Sequence, residues 1–535
     1  MAVEHPVQHL EVERKFDVDE SFALPDLAAV PGLAAGVASA AAPVEHVLEA
    51  AYHDTADLRL ARARVTLRRR TGGTDAGWHV KLPAAGGARR ELHSPVGRAA
   101  RTPPKAVLAP VLGIVRSAPV GPVALLRTRR TVTELLAQDG RVLAEVADDH
   151  VTGTALPPGP GEAAVVTTWR EVEVELVDGD EELLAAVADA LVAAGATPAA
   201  SPSKLTRVLG DRLAAATAAG AAGGAPAARS GKGKKGRRKA ASKASRQPTA
   251  ADVVRVALRE QLQALQAADL LLRTGQPDGV HQVRVACRRL RSVLAAFRPV
   301  LDPERTEPLR AELQRVGAAL SGSRDAEVAL AHLRELVAAQ PVELVLGPVA
   351  ARLQQTEVQD AAAGERAALR ALTDARYLRL LDDLDELVAA PPFTDWADEP
   401  AADVLREVLR RTVKRLVRAV DAAVDAEDDQ ALHDVRKAGK RLRYTAEAVA
   451  PVLGPPVTQL IKALKEVQEV LGDRQDTFVT RQVCTDLGRK AFAAGENAWT
   501  WGRLHALEET RSAAAEREFW ARWPALRPVL KAATR

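Results

Sequence analysis

The sequence contains little cysteine and no long apolar run. Cys287 and Cys484 are its two cysteines, and their wide separation excludes a disulfide framework and a metal site of closely spaced thiols. No uninterrupted apolar stretch reaches the roughly 18 residues that a membrane-spanning helix needs. The charged segment from Met1 to Lys15 lacks the apolar region of a signal peptide. These absences predict a cytoplasmic protein that has no membrane partner.

The chain also carries little net charge, and that charge is unevenly distributed. The formal net charge is +4, but residues 229–246 contain nine lysines or arginines and no acidic residue, so the rest of the chain is acidic overall. Any anion binding elsewhere must therefore come from a local arrangement of bases. We interpret the basic segment as a solvated tether and expect no specific nucleic acid partner.

Length and pattern predict an α+β protein of two domains. At 535 residues the chain is too long for one hydrophobic core. Residues 1–212 contain runs in which polar and apolar residues alternate, which is typical of strands. Residues 213–248 are rich in Ala, Gly, Lys and Ser without a period, which predicts a flexible linker. Residues 249–535 have a helical pattern almost throughout and predict an all-α bundle.

Charged side chains follow the two-residue period of the N-terminal strands. Acidic ladders are formed by Glu11 and Glu13 and by Glu171, Glu173 and Glu175, and basic positions include Lys15, Lys81 and the alternating Arg62, Arg64, Arg68 and Arg70. Separate ladders suit a barrel with a polar interior, in which acids hold divalent cations and bases hold phosphate oxygens. A sheet with a salt-bridged outer face explains the same alternation, because spacing does not fix which face is inside.

One basic pattern occurs twice in the helical half. The first copy contains His281, Arg284, Arg288 and Arg291, and the second contains His433, Arg436, Lys440 and Arg443 at the same spacing. On an α-helix the four positions fall within a sector of about 80°. Each copy therefore forms a basic stripe, and because neighbouring cations repel one another, the stripe suits a long anion.

The repeat extends beyond the basic stripes. A segment containing Asp325 follows the first stripe, and an equivalent segment containing Asp476 follows the second. Two copies of helix, connection, helix and acidic loop imply an internal two-fold repeat, which would place the two stripes on opposite walls of one groove. Each aspartate is either a helix cap or an acid that orients the bases, and we favour the cap.

The ladders of the N-terminal half belong to a longer set of motifs. Glu11-Val12-Glu13-Arg14-Lys15 resembles the opening Glu-x-Glu-x-Lys motif of the CYTH domain. This family comprises the triphosphate tunnel metalloenzymes, which include thiamine triphosphatases, inorganic triphosphatases and class IV adenylyl cyclases. The resemblance continues through residues 52–60, 67–70, 78–83, 90–91 and 171–176 and ends at Ser203-Lys204. It implies an eight-stranded antiparallel β tunnel with flanking helices over residues 1–212.

The resemblance to the CYTH domain also implies roles for individual residues. The residues that look like ligands of Mg²⁺ or Mn²⁺ are Glu11, Glu13, Asp149, Glu173 and Glu175. The residues that look like catalytic phosphate clamps are Lys15, Arg68, Arg70 and Lys81, joined by Arg129 and Lys204 as triphosphate-binding bases. Three assignments have alternatives at neighbouring positions. Asp148 is the alternative to Asp149 as a metal ligand, and Arg127 is the alternative to Arg129 as a phosphate-binding base. Glu171 shares the parity of Glu173 but is expected nearer the tunnel mouth.

The basic stripes resemble the CHAD domain over about residues 250–530. That family is helical, often follows a CYTH domain and is associated with inorganic polyphosphate. The resemblance implies that polyphosphate contacts His281, Arg284, Arg288, Arg291, His433, Arg436, Lys440 and Arg443. Arg289 and Arg441 lie about 80° from the histidines around the helix and are weaker candidates.

Together the two resemblances predict a metal-dependent triphosphatase or polyphosphatase. The helical half would capture inorganic polyphosphate, and the tunnel would hydrolyse triphosphate or chain ends. The alternative is a non-catalytic protein that binds polyphosphate or associates with polyphosphate granules, and a third hypothesis is an adenylyl cyclase. Because phosphate clamps read charge rather than the leaving group, the sequence leaves the substrate open, as it does the oligomeric state.

Overall fold

The structure, a computed structural model, describes residues 7–29, 37–73, 75–84, 88–95, 102–159, 161–222, 247–424 and 429–535. The chain divides into two compact units, residues 1–222 and residues 223–535. The first unit is built around an antiparallel sheet and the second is helical, as the sequence predicts.

The described part of the first unit contains eleven strands: β1 (Val7–Glu11), β2 (Glu13–Val18), β3 (Ser39–Ala40), β4 (Val44–Asp54), β5 (Thr66–Thr71), β6 (Gly77–Pro83), β7 (Arg89–Pro95), β8 (Gly121–Leu136), β9 (Val142–Ala155), β10 (Val165–Leu176) and β11 (Thr197–Pro198). Their order in the sheet is β1-β7-β6-β5-β4-β8-β9-β10-β2-β11, with β3 beside β8.

The sheet closes on itself through its first strand. Only Val12 separates β1 from β2 in the chain, and β1 pairs with β7 whereas β2 pairs with β10. One continuous segment therefore joins both ends of the sheet, as a tunnel requires. The expected count of eight strands was too low. The observed number is higher because the first strand is divided at Val12 and because β3 and β11 add two residues each.

The described part of the first unit also contains five α-helices. They are α1 (Arg59–Arg62), α2 (Lys105–Leu108), α3 (Leu112–Val115), α4 (Glu181–Ala193) and α5 (Lys204–Ala222). Val172 and Val174 of β10 pack in one core with Leu184, Val187 and Leu191 of α4. Burial of each such side chain stabilises the fold by about 1.5 to 3 kcal/mol. Because this core lies outside the sheet, the inward positions are free to carry charge.

The basic ladder that begins at Arg62 is only partly a strand. Residues 59–62 form a helical turn, and β5 starts at Thr66. The turn is held by the buried carboxylate of Asp54, which accepts hydrogen bonds from the backbone N–H groups of Leu60 and Ala61, both at 2.9 Å. Arg62 and Arg64 therefore fall outside the ladder, and Arg68 and Arg70 remain in it.

Helix α5 continues beyond the predicted domain boundary at residue 212. Leu205, Val208 and Leu209 in its first turns are buried against the sheet, and the helix ends at Ala222. The predicted linker over 213–248 is thus corrected for residues 213–222, which are helical. Residues 223–246, including the basic segment, lie outside the described residues.

The described part of the second unit contains ten helices: α6 (Ala250–Arg273), α7 (Gly279–Ala296), α8 (Pro303–Ala319), α9 (Ser321–Ala338), α10 (Val349–Thr373), α11 (Ala375–Ala389), α12 (Ala401–Val424), α13 (Asp429–Leu453), α14 (Pro455–Ala493) and α15 (Trp499–Ala533). Among the described residues, no helix combines the length and apolarity that crossing a membrane requires.

The repeat in the sequence is visible in the helices. Helices α6 and α12 both contain 24 residues, and α7 and α13 follow them with the two basic stripes. In the second copy α14 is one continuous helix where the first copy has α8 and α9, separated at Leu320. Val283 and Leu290 of α7 share one core with Val435 and Leu442 of α13. Both stripes are therefore anchored to the same hydrophobic core.

Candidate functional site

The inside of the sheet is a polar cavity of about 630 Å³. Alternation along each strand places every second side chain in it, so the acidic and basic ladders meet across the lumen. The interpretation as a salt-bridged outer face is wrong for these residues. The predicted site residues that line the cavity are Glu11, Glu13, Lys15, Arg68, Arg70, Lys81, Glu173, Glu175 and Lys204.

Three buried carboxylates form a compact acidic cluster on β9 and β10. Asp149, Glu171 and Glu173 each offer an oxygen that lies within 4.8 Å of the others. Asp149 is directly opposite Glu171 in the strand pairing. Glu171 is 4% exposed and, although it shares the parity of Glu173, it is absent from the described lining of the cavity. Three carboxylate oxygens at this separation fit a hard divalent cation such as Mg²⁺ or Mn²⁺.

Basic side chains surround the acidic cluster. The ammonium of Lys204 lies 2.9 Å from Asp149, 2.5 Å from Glu171 and 2.7 Å from Glu173. Lys15 also pairs with Glu173. Burial alone would raise the pKa of Glu173, but Lys15, Lys204 and Arg130 hold it well below its usual range. Glu173 is therefore ionised at neutral pH despite being buried.

The base beside the acidic cluster on β8 is Arg130, not the predicted Arg129. Arg130 lines the cavity together with Leu126 and Thr128, which have the same parity. Arg129 and its rival Arg127 have the opposite parity and are exposed. The pairing of strands explains the correction, because Arg130 lies opposite Asp149 whereas Arg129 lies opposite His150.

A second charged group lies across the lumen on β1, β6 and β7. Lys81 donates to both carboxylate oxygens of Glu11, at 2.7 and 2.6 Å. Burial and a hydrogen bond with Glu91 raise the pKa of Glu11 to about 8. Glu91 also accepts from His79 Nδ1 at 2.6 Å. The motif at residues 90–91 does not by itself assign Glu91 a role, and the position of Glu91 opposite Lys81 in the sheet is the signal that places it in the site.

The remaining bases of the lumen include Arg68 and Arg70, which pair with Glu91 and Asp75 respectively. Burial, followed by repulsion from Arg68 and Arg130, lowers the pKa of Arg70 to about 9. Lys15 pairs with Glu13 at 2.8 Å, and burial raises the pKa of Glu175. The tunnel unit thus brings a buried acidic cluster, of a kind that suits a divalent cation, close to bases of a kind that suits the oxygens of a phosphate chain.

The two basic stripes of the helical unit meet in a groove of about 280 Å³. The predicted residues that line it are Arg288 and Arg291 from α7 and His433, Arg436 and Lys440 from α13. Arg310 of α8 and Arg441 also line it. Arg310 lies outside the repeated motif, which explains why the pattern did not reveal it. The sequence makes Arg441 a weaker candidate because of its angle from His433, but that angle does not show which side of α13 faces α7.

Three predicted contacts are absent from the described lining of the groove: His281, Arg284 and Arg443. Arg443 is turned to other partners, since it donates to Gln468 at 2.8 Å and to Glu447 at 2.5 Å. Its equivalent in the first copy, Arg291, lines the groove and donates to the neutral Gln314 at 2.8 Å. The two stripes therefore contribute different members of the repeated motif to the lining of the groove.

The groove is strongly electropositive because its described lining contains no acidic side chain. Burial, followed by repulsion from Arg436, Arg288 and Arg443, lowers the pKa of Lys440 to about 7. Burial also lowers the pKa of His433, whose Nδ1 lies 2.5 Å from Gln475 Oε1. Such crowding of cations is costly in an empty groove and favourable around a polyanion.

The expected role of the repeated aspartates as helix caps was wrong. Asp476 lies in the middle of α14, and Asp325 lies inside α9, whose N-cap is Leu320. Burial raises the pKa of Asp476, and the attraction of Arg436 opposes this rise. Asp476 therefore matches the other interpretation, an acid close to the bases of the stripe.

Comparison with known proteins confirms both resemblances. A family model of the CYTH domain matches residues 9–208, and one of the CHAD domain matches residues 256–485. An uncharacterized protein of Mycobacterium tuberculosis is 38% identical over 520 residues, which cover 94% of this chain and 93% of that protein.

Among solved structures, PptA from Streptomyces chartreusis is 23% identical with a TM-score of 0.43, and the match covers 52% of this chain and 99% of PptA. The CHAD domain from the plant Ricinus communis is 25% identical with a TM-score of 0.42 and covers 53% of this chain and 92% of its own. The chain belongs to the family of proteins in which a CYTH domain is followed by a CHAD domain.

Proposed function

We propose that the tunnel hydrolyses inorganic triphosphate or the ends of polyphosphate in a metal-dependent reaction, and that the helical unit binds polyphosphate. The observation that carries this proposal is a buried carboxylate cluster that reaches the lumen through Glu173 and lies beside several basic side chains of the lumen. A phosphate chain needs both, because bases neutralise its oxygens and carboxylates recruit the metal that such chains bind.

Each group of the tunnel has a distinct task in this proposal. Asp149, Glu171 and Glu173 hold the Mg²⁺ or Mn²⁺, which supplies Lewis-acid stabilisation of the phosphate oxygens. Arg68, Arg70, Lys81 and Arg130 bind the oxygens and orient the chain along the lumen. Their positions are fixed by strands, so they stabilise charge that develops on the leaving phosphate without reorganising. The site needs no covalent nucleophile from the protein.

The tunnel proposal is tested by phosphate release from a panel of substrates. Inorganic triphosphate, longer polyphosphate, thiamine triphosphate and ATP are supplied with Mg²⁺ or with Mn²⁺, and the ATP reaction is also assayed for cyclic AMP. We expect phosphate release that Glu173→Gln abolishes and that Glu182→Gln, an exposed substitution on α4, leaves unchanged. Cyclic AMP as the main product would replace hydrolysis by cyclase chemistry.

The groove proposal is tested by binding. Arg288 and Lys440 come from different copies of the repeat and line the same groove. We expect Arg288→Gln and Lys440→Gln to weaken polyphosphate binding comparably, and the double variant to have a shallower dependence of affinity on salt because fewer counterions are exchanged. Unchanged binding by the double variant would contradict the proposal.

A non-catalytic polyphosphate-binding protein is the second candidate. The observation in its favour is that Lys204 pairs with all three carboxylates of the acidic cluster, which offsets their charge without a metal. This candidate predicts polyphosphate binding with no phosphate release from any substrate of the panel under either metal.

A further inference from the structure

The repeat of the helical unit creates two further cavities that are equivalent in position. One, of about 420 Å³, lies between α6 and the end of α13, and the other, of about 730 Å³, lies between α12 and the end of α7. Arg289 lines the first and Arg441, its equivalent in the repeat, lines the second. If the anion used both copies alike, the two cavities would carry similar charge.

The cavity on the α12 side is basic. No acidic residue belongs to its described lining, whose charged members are Arg298, Arg411, Lys414, Arg415, Arg418 and Arg441. Arg298 is paired with Glu307 and Arg411 with Glu407. Lys414, Arg415 and Arg418 are exposed, and no ion pair of theirs occurs among the described residues. Within the part of the chain that the structure describes, three exposed cations without an ion pair therefore lie along one side of α12.

The equivalent cavity on the α6 side has the opposite character. Its described lining contains one base, Arg289, and three acids, Asp252, Glu260 and Glu447, among mostly apolar residues. Aligning the two 24-residue helices from their first residues places Gln263, Ala264 and Ala267 of α6 where α12 has Lys414, Arg415 and Arg418. The two cavities thus occupy equivalent positions in the repeat and differ in charge.

The basic cavity is continuous with the groove through Arg441. This residue lines both spaces. Burial, followed by repulsion from Arg415, Arg310 and Arg291, lowers the pKa of Arg441 to about 10. Arg310 and Arg291 belong to the groove and Arg415 belongs to the α12 side, so the guanidinium of Arg441 lies in the field of both. A chain of negative charges can pass from one to the other without meeting an acid of the described lining.

We propose that bound polyphosphate leaves the groove in one direction, over the α12 face formed by Lys414, Arg415, Arg418 and Arg441, and not over the α6 face. This proposal rests on the proposed function of the groove and adds a second binding surface that only chains longer than the groove can reach. The occupant is inorganic polyphosphate, because the surface continues the proposed phosphate-binding groove and its exposed cations have no ion pair with an acid among the described residues.

The test compares a short oligophosphate with long-chain polyphosphate on the full-length protein. The α12 variant carries Lys414→Gln, Arg415→Gln and Arg418→Gln. Its matched control removes three exposed bases of α15, which lines neither space, by Arg517→Gln, Arg527→Gln and Lys531→Gln. We expect the α12 variant to lose about tenfold in affinity for the long chain at low salt, to keep its affinity for the short one, and to differ from the control.

Three outcomes separate this inference from the function it rests on. If the α12 variant and the control lost equal affinity for long-chain polyphosphate, or if neither lost affinity, the proposed path over the α12 face would be wrong. A loss for both chain lengths in the α12 variant would also overturn it, because the α12 bases would then belong to the groove itself. Retained binding in a variant with Arg288→Gln and Lys440→Gln would instead refute the groove as the polyphosphate site.

Discussion

Arg130 and Asp149 lie opposite each other on β8 and β9, and the guanidinium donates to both oxygens of the carboxylate, at 2.8 and 2.6 Å. Arg130 also reaches Glu173 at 2.5 Å. This one arginine of β8 thus connects two carboxylates of the acidic cluster, one on β9 and one on β10. A bidentate arginine fixes both the distance and the angle between the groups it connects.

The position of Arg130 leads to the first prediction. Arg130→Gln should lower kcat/KM for the preferred triphosphate by about 100-fold, because one charge-stabilising donor is lost and Asp149 is released from its position. Arg129→Gln is the matched control, since Arg129 is the neighbouring exposed base on the same strand. Steady-state kinetics of both variants, with circular dichroism to verify the fold, provides the measurement. A larger loss for Arg129→Gln would show that the sequence-based assignment was right and that β8 faces the other way.

The strands show which parts of the site are readable from sequence. On β10 the carboxylates of Glu171, Glu173 and Glu175 alternate with apolar residues, so the polar face is evident once the sheet is known to be a tunnel. On β8 the run Arg127-Thr128-Arg129-Arg130 places a base on each face. Only the pairing with β9 decides which base is inside, and pairing between distant strands is not encoded locally.

The second prediction concerns metal binding by the acidic cluster. Asp149→Asn should raise the Kd for Mn²⁺ by at least about tenfold, because a carboxylate ligand becomes a neutral amide. Asp148→Asn is the control. The side chain of Asp148 pairs with Arg170 at 2.7 Å, outside the acidic cluster, so its loss removes an ion pair but no ligand. Titration calorimetry with Mn²⁺ measures both, and equal Kd values in the two variants would remove Asp149 from the metal site.

The third prediction separates the two units. A chain ending at Ala222 keeps the whole of α5, whose buried Leu205 and Leu209 belong to the core of the tunnel unit. It should hydrolyse the short triphosphate as the full chain does. Residues 247–535, expressed alone, should bind long polyphosphate and release no phosphate. Fluorescence anisotropy and phosphate release measure the two properties. Hydrolysis that requires both units in one chain would show that the tunnel depends on the helical unit.

The repeat illustrates a different limit of sequence reasoning. The spacing of bases correctly brought α7 and α13 together, because their apolar faces with Val283 and Val435 share one core. The same spacing also predicts that equivalent bases of the two copies have equivalent contacts. It did not foresee that Arg443 pairs with Glu447 while Arg291 lines the groove. Such differences arise from residues outside the motif, which a repeat pattern does not weigh.

The fourth prediction concerns Lys440 and pH. Its pKa in the folded protein is about 7, below its ordinary value of 10.5, because of burial and the neighbouring bases. Between these two pH values the unfolded chain therefore binds more protons at Lys440 than the folded chain does. Lys440 thus lowers the free energy of unfolding in full below about pH 7, and this destabilising effect disappears as the pH rises to about 10.5. Lys440→Met should raise the free energy of unfolding at neutral pH by about 1 to 2 kcal/mol, measured by urea denaturation.

The same substitution should change how polyphosphate binding responds to pH. Phosphate oxygens beside Lys440 favour its charged form, so binding takes up a proton and affinity should rise as pH falls from about 8 to about 6. In Lys440→Met this rise should be smaller, since the remaining arginines of the groove stay charged throughout the range. His433 and the polyphosphate itself titrate in both proteins, so the difference between the two profiles isolates Lys440. Parallel profiles, together with unchanged stability, would show that Lys440 is already solvated and fully charged in the empty groove.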